Sequence, residues 1–284
     1  MNIVSLLPGA TEIVCALGRG GQLRGVSHSC ELPAGIGPLP MLTSTNVPTE
    51  QDQGSIDEHV RQALRNGRSL YELDIDGLDR LQADVVITQT LCDICAVSTG
   101  DVYSAFEQMK SQPALIELAP SCMEDVYTDI FTIARAIDAE SEAERLVDSL
   151  RGRSAGIAAS PPLDGEKVLF LEWLDPPFAG GHWIPDLIEI LGGVSCHARS
   201  GQPSLTLTME EINATAPDRI IIACCGLSDS ASAVAWAQLE STPDWSRLTA
   251  VREGMVWICN GRRHFSRAAP SLVDGLEMLA ARLG

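Results

Sequence analysis

The sequence predicts an α/β protein of two lobes, each built on a parallel sheet, joined by a single long helix. Three observations predict it. Apolar runs of strand length alternate with amphipathic segments along the chain, which is the pattern of α/β proteins. The stretch LDIDGLDRLQADVVITQT from Leu73 aligns without gaps with LTMEEINATAPDRIIIAC from Leu207. Both carry a polar cap residue (Asp74, Thr208), a short amphipathic helix, an aspartate (Asp84, Asp218) and an apolar strand. Finally, strand Val168 to Leu171 leads through a loop to helix Ile184 to Leu191 and Gly192-Gly193, as Ile3 leads to a helix that stops at Gly18. Two echoes in the same order point to two similarly built lobes.

Taken in order, Asn2 to Leu6 reads as the first strand. Ala10, Ile13, Val14 and Leu17 follow at helical spacing, and Gly18 supplies the stop. Leu23 to Ser27 is a second strand and Asp84 to Gln89 a third, with TQTLCDICAVS at its end. Ser121 and Glu124 form an S-x-x-E capping box before Val126, Ile130, Ile133, Ala134 and Ile137. A second helix is expected from Ala139 to Ile157, with Ala143, Leu146, Val147 and Leu150 on one face, and Pro161-Pro162 closes it before Val168. The division is therefore an N-terminal Rossmann-like lobe over 1–138, a linking backbone helix over 139–160 and a C-terminal Rossmann-like lobe over 161–284. In open parallel sheets ligands sit beyond the C-terminal strand ends. The expectation is a ligand cleft between the lobes, lined by the loops at Pro8, Ser27 to Pro33, Thr90 to Ser98, Trp173 to Trp183, Cys224 to Asp229 and Gly261 to Arg267.

Composition narrows the function. The 284 residues carry a formal net charge of −18, which excludes the basic face that nucleic-acid binding needs. No apolar run reaches the ~18–20 residues of a membrane span, so the chain is not expected to be membrane-spanning. No basic segment precedes the first strand, and Pro8-Gly9 interrupts its apolar run, so no signal peptide is read and a cytoplasmic location is expected. The location would be periplasmic or extracellular if a leader had been removed. Nine scattered cysteines, an odd number, do not form a disulfide framework and suit a reducing compartment. No G-x-S-x-G, P-loop, HExxH or dinucleotide fingerprint occurs, so a non-enzymatic role is expected.

Four groups of residues carry chemistry. Cys92 and Cys95 form a CxxC that can bring two thiolates to zinc or iron, and Cys30 and His28 in SHSCE are the candidates to complete a tetrahedral site. The same cysteines can instead line the cleft, or work as a redox dithiol. His28 and His182 lie in glycine- or serine-flanked loops, where a neutral imidazole can coordinate cobalt or iron or hydrogen-bond a ligand amide. Trp173, Phe178 and Trp183 crowd EWLDPPFAGGHW, and aromatic faces suit a flat macrocycle. Arg262, Arg263 and Arg267 form a basic patch suited to propionate, phosphate or amide oxygens.

Several motifs together resemble a known family. These are IVSLLPGATEIVCALG with LRGVSHSCELP, ADVVITQT with APDRIIIAC, PPFAGGHWIPDLIEILGG, and HFSRAAPSLVDGLEMLA. The chain resembles, over nearly its whole length, the helical-backbone (class III) substrate-binding proteins of ABC importers. These are receptors for cobalamin, siderophores, haem and metals, and the likeness is nearest to the vitamin B12-binding members. The resemblance implies two lobes, a linking helix, little lobe movement and, if the protein is exported, an ABC transporter permease as partner. It places Phe178 near a ligand-contacting position and Arg267 at an arginine of the binding cleft. Arg263 stands where the vitamin B12-binding members have an acidic residue. The resulting expectation is a ligand-binding protein for cobalamin, another corrinoid or a related small-molecule metal chelate. The alternatives are a metal-ion or metal-cluster binder using Cys92 and Cys95 with Cys30 or His28, and an enzyme that has recruited the fold.

Overall fold

The computed structural model describes residues 1–48, 52–90 and 99–284. The chain divides into two units. Unit 1 is Met1–Gln51, Glu58–Pro120 and Glu124–Ser149; unit 2 is Asp52–Asp57, Ser121–Met123 and Leu150–Gly284. Two short excursions, at 52–57 and 121–123, thus give N-terminal residues to unit 2.

The elements through the first half of the chain are β1 (Ile3–Ser5), α1 (Pro8–Ala16), β2 (Leu23–Val26), β3 (Thr43–Thr45), α2 (Gln53–Arg65), β4 (Tyr71–Leu73), α3 (Ile75–Arg80), β5 (Val85–Gln89), α4 (Thr99–Gln108), β6 (Ala114–Leu118), α5 (Met123–Ala136) and α6 (Glu140–Ala158). The sheet of unit 1 is wholly parallel, in the order β2-β1-β5-β6. Its central strands are buried on both faces, as parallel sheets flanked by helices require. Val4, Leu6, Leu42, Leu78, Val86, Val102 and Met109 form one core cluster. The helix α5 contributes Val126, Ile130, Ile133 and Ala134, all buried. A small antiparallel ribbon, β3 with β4, adds to the unit.

The rest of the chain forms β7 (Lys167–Leu174), β8 (Pro177–Ala179), α7 (Ile184–Ile190), β9 (Val194–Ser195), β10 (Leu205–Thr206), α8 (Met209–Thr215), β11 (Arg219–Ile222), α9 (Asp229–Leu239), α10 (Pro243–Ser246), α11 (Thr249–Arg252), β12 (Val256–Ile258), α12 (Gly261–His264) and α13 (Ser271–Leu283). Unit 2 has the sheet order β10-β8-β7-β11-β12, with β9 also on β7. Here β7, β9, β11 and β12 are parallel, β8 runs antiparallel to β7, and β10 pairs antiparallel with β8. The stretch expected as a loop from Trp173 to Trp183 therefore begins as a hairpin. A two-residue turn at Asp175-Pro176 joins β7 to β8, and a connection that short can only return the chain antiparallel. The core of this unit packs Leu169, Leu171, Ile220 and Ile222 with Trp236 and Trp245, whose rings meet edge to face at 5.2 Å.

The internal repeat is present down to its hydrogen bonds. Asp74 accepts from Gly77 N–H at 2.8 Å to cap α3, and Thr208 with Glu211 forms a capping box on α8. Each short helix then turns through a left-handed residue, Gln82 or Ala216, both at φ +47°. Each following aspartate accepts the backbone N–H of a residue at or beside the start of the neighbouring strand in the sheet: Asp84 from Asn2 at 2.6 Å, Asp218 from Lys167 at 2.7 Å. The second echo is equally literal. The helix α1 ends with Gly18 N–H on Cys15 O and Arg19 N–H on Val14 O; α7 ends with Gly192 N–H on Glu189 O and Gly193 N–H on Ile188 O. Both are Schellman closures around a left-handed glycine, at φ +72° and +82°.

The helix α6 spans Glu140 to Ala158, matching the long helix read from sequence, and the division between the units falls within it, after Ser149. In its second half Arg153 grips Glu277 through two bonds of 2.8 and 2.6 Å and Asp274 through one of 2.6 Å, fixing α13 to it.

Candidate functional site

In unit 1 the C-terminal ends of β1 and β2 carry hydroxyls instead of apolar side chains. Ser5 Oγ donates to Leu7 O at 3.0 Å, Thr11 Oγ1 donates to Ser5 Oγ at 2.9 Å, and Cys30 Sγ lies 3.1 Å from Thr11 Oγ1. Either atom of the Thr11–Cys30 pair can be the donor.

His28 belongs to a second branch. Its backbone N–H and its Nδ1 both reach Thr43 Oγ1, at 3.0 and 2.7 Å, and Thr43 Oγ1 donates to Ser27 Oγ at 3.1 Å. The proton count then assigns the hydrogen to Nδ1 of His28, which donates to Thr43 and leaves Nε2 with an open lone pair. The imidazole is half-buried, 5.8 Å from the ring of Tyr71, and burial lowers its pKa from the ordinary 6.5. It is held neutral, the form that binds metals. His28 and Cys30 thus share a loop but engage different partners. Cys92 and Cys95 lie outside the described residues. Among the described residues, no group of three or more His, Cys, Asp and Glu side chains is placed to hold a metal ion.

In unit 2 the hairpin sets Trp173 directly opposite Phe178, both half-buried. Trp173 Nε1 donates to Asp175 O at 3.1 Å, tying the indole to the turn. Trp183 is more enclosed than Trp173 and Phe178. It is 8% exposed, and its Nε1 donates to Phe265 O at 2.9 Å. It is the N-cap residue of α7, and its indole bond anchors the start of that helix to Phe265. His182 beside it is half-buried at φ +52°, donates its N–H to Gln202 O at 2.6 Å, and is also lowered in pKa by burial.

The three arginines separate. Arg262 Nε donates to Gly226 O at 2.9 Å, a structural bond. Arg263 is exposed, with its backbone N–H held by the N-cap Asn260 at 2.9 Å. Arg267 is half-buried. The guanidinium groups of Arg263 and Arg267 make no hydrogen bond or ion pair among the described residues.

One residue at these strand ends gave no sequence signal. Gln53, the first residue of α2, is buried in unit 2; its Oε1 accepts Leu174 N–H at 2.7 Å and its Nε2 donates to Cys224 Sγ at 3.4 Å. A polar residue of no periodic pattern, 121 positions from its partner, cannot be placed by spacing. Cys224 and Cys225 diverge as adjacent residues do: the first is buried, the second exposed, with its backbone N–H on Glu172 O at 2.8 Å.

Comparison with known proteins gives the family. The periplasmic binding protein family matches residues 3–262. The chain belongs to it. A vitamin B12-binding protein of Vibrio parahaemolyticus is 22% identical over 263 residues, covering 91% of this chain and 81% of that protein. A Bacillus subtilis protein described as an uncharacterized ABC transporter substrate-binding lipoprotein is 24% identical over 290 residues, covering 98% and 78%. Among solved structures, the periplasmic haem-binding protein of Vibrio cholerae superposes with a TM-score of 0.74 at 20% identity, covering 100% of this chain and 98% of that one. Members of the family bind solutes and are not enzymes, so this periplasmic binding protein is a solute-binding protein. Among the described residues, no helix is long and apolar enough to cross a membrane. The cytoplasmic location expected from the first residues finds no support in this family.

Proposed function

We propose that this periplasmic binding protein delivers a metal chelate of the corrinoid or haem class to an ABC importer, and that it works outside the cytoplasmic membrane. The observation that carries the reading is His28: a neutral, half-buried imidazole whose Nδ1 proton is fixed on Thr43, leaving Nε2 open to an axial position on a chelated metal. Supporting it, Trp173 and Phe178 offer paired aromatic faces, and Arg263 and Arg267 offer cations to the acidic or amide side groups such macrocycles carry. The relatives named for vitamin B12 and haem support the same class of cargo. The division into lobes at 1–138 and 161–284 belongs to this reading.

Titration with haemin, with aquocobalamin and with metal-free protoporphyrin tests it. Tight binding of one metal chelate, with a shifted visible spectrum, is expected. The metal-free ring should bind more weakly, and His28→Ala should abolish the spectral shift without unfolding the protein. If neither chelate binds the folded protein at high micromolar concentration, the reading is wrong.

A further inference from the structure

The backbone N–H of Leu174, the last residue of β7, is taken by a side chain at the point where the strand loses a neighbour. Parallel pairing of β7 with β11 ends at Leu171 and Ile222. On the other side Leu174 faces Pro177, whose carbonyl accepts Leu207 N–H at 2.8 Å. A buried N–H left in this position would be costly. Gln53 Oε1 takes it at 2.7 Å, and the same carboxamide reaches Cys224 just past the end of β11. One side chain thus stands where a missing strand would be and ties two neighbouring strand ends. The approach is close along the backbone too, since a Cβ on Gly54 would lie 2.8 Å from Asp175 Oδ2 in the hairpin turn.

We propose that Gln53 is a positioning residue for cargo binding: by holding Leu174 and the end of β11, it fixes the hairpin that presents Trp173 and Phe178. The inference rests on the aromatic pair contacting the chelate, as proposed above. It assigns a specificity role to the segment 52–57, which sequence order places far from the hairpin.

The test uses the full chain with Gln53→Met, close in volume but without the oxygen, and Gln53→Glu, which keeps an acceptor for Leu174. Trp173 emission is isolated in each background as the difference from the matching Trp173→Phe protein. In the ligand-free protein, Gln53→Met should shift Trp173 emission to the red, while Gln53→Glu should preserve it. Affinity for whichever of haemin and aquocobalamin binds the wild type should fall about tenfold in Gln53→Met, equal to about 1.4 kcal/mol, and recover in Gln53→Glu. Unchanged emission and affinity in a folded Gln53→Met protein overturn the proposal. Should Gln53→Met fail to fold, loss of the Trp173 signature and of affinity in Gln53→Glu overturns it, and retention of both upholds it. If wild-type protein binds neither chelate, the functional reading fails, and the ligand-free emission still decides whether Gln53 sets the hairpin.

Discussion

Asp129 carries an avoidable cost. It is buried on α5, its Oδ2 has no hydrogen-bond partner, and burial together with the Asp125 charge raises its pKa from 3.8 to about 7. A carboxyl whose folded pKa exceeds its unfolded value contributes stability in acid that is lost as pH rises, here between 3.8 and about 7. Asp129→Asn should therefore stabilise the protein at pH 8 by about 2 kcal/mol, allowing about half the shift for residual hydration, and far less at pH 4. Melting curves at the two pH values check this. The histidines act in the opposite sense. His28 and His182 have folded pKa values below 6.5, so their contribution is present above that value and is lost as pH falls through the folded value. Chelate affinity should decline in the same window, because a protonated His28 has no lone pair for metal. An affinity that stays flat from pH 8 to pH 5 would contradict the axial role.

The two helix-ending glycines look alike in sequence but predict different penalties. At Gly18 a Cβ would meet nothing within 4 Å, so Gly18→Ala bears only the left-handed backbone, about 1 kcal/mol. At Gly192 it would fall 2.3 Å from Leu163 O and 2.8 Å from Pro161, so the chain must move as well. Gly192→Ala should cost at least about 2 kcal/mol more in denaturant unfolding; equal midpoints would show that the 161–163 segment yields freely. The elements of the repeat were legible because they rest on local chemistry, namely a cap residue, a strand-starting aspartate and a stop glycine. The strands β8 and β10 were not, since three and two residues give no periodicity. For the candidate site, residue type and loop position nominate His28, Trp173, Phe178 and the arginines, whereas the bonds of Trp183 to Phe265 O and of Gln53 to Leu174 N–H arise only in the tertiary structure.

At the scale of the molecule, each unit buries its own apolar cluster. Ligand-free unfolding should then depart from a single two-state transition, with a calorimetric enthalpy larger than the van't Hoff value; equal enthalpies would mean one cooperative block. Bound chelate at about 100 times its Kd should add about 2.7 kcal/mol, raising the melting temperature by about 5 °C for a chain of this size. Cys225 gives a further use to the end of β11. Among the described cysteines it alone is exposed, and its backbone is bonded to Glu172, the neighbour of Trp173 in the hairpin. With Cys92 and Cys95 changed to serine, a maleimide dye should attach there first. If the hairpin meets the cargo as proposed, such a label would make the protein an optical sensor whose brightness follows occupancy, readable in crude mixtures where tryptophan emission is swamped.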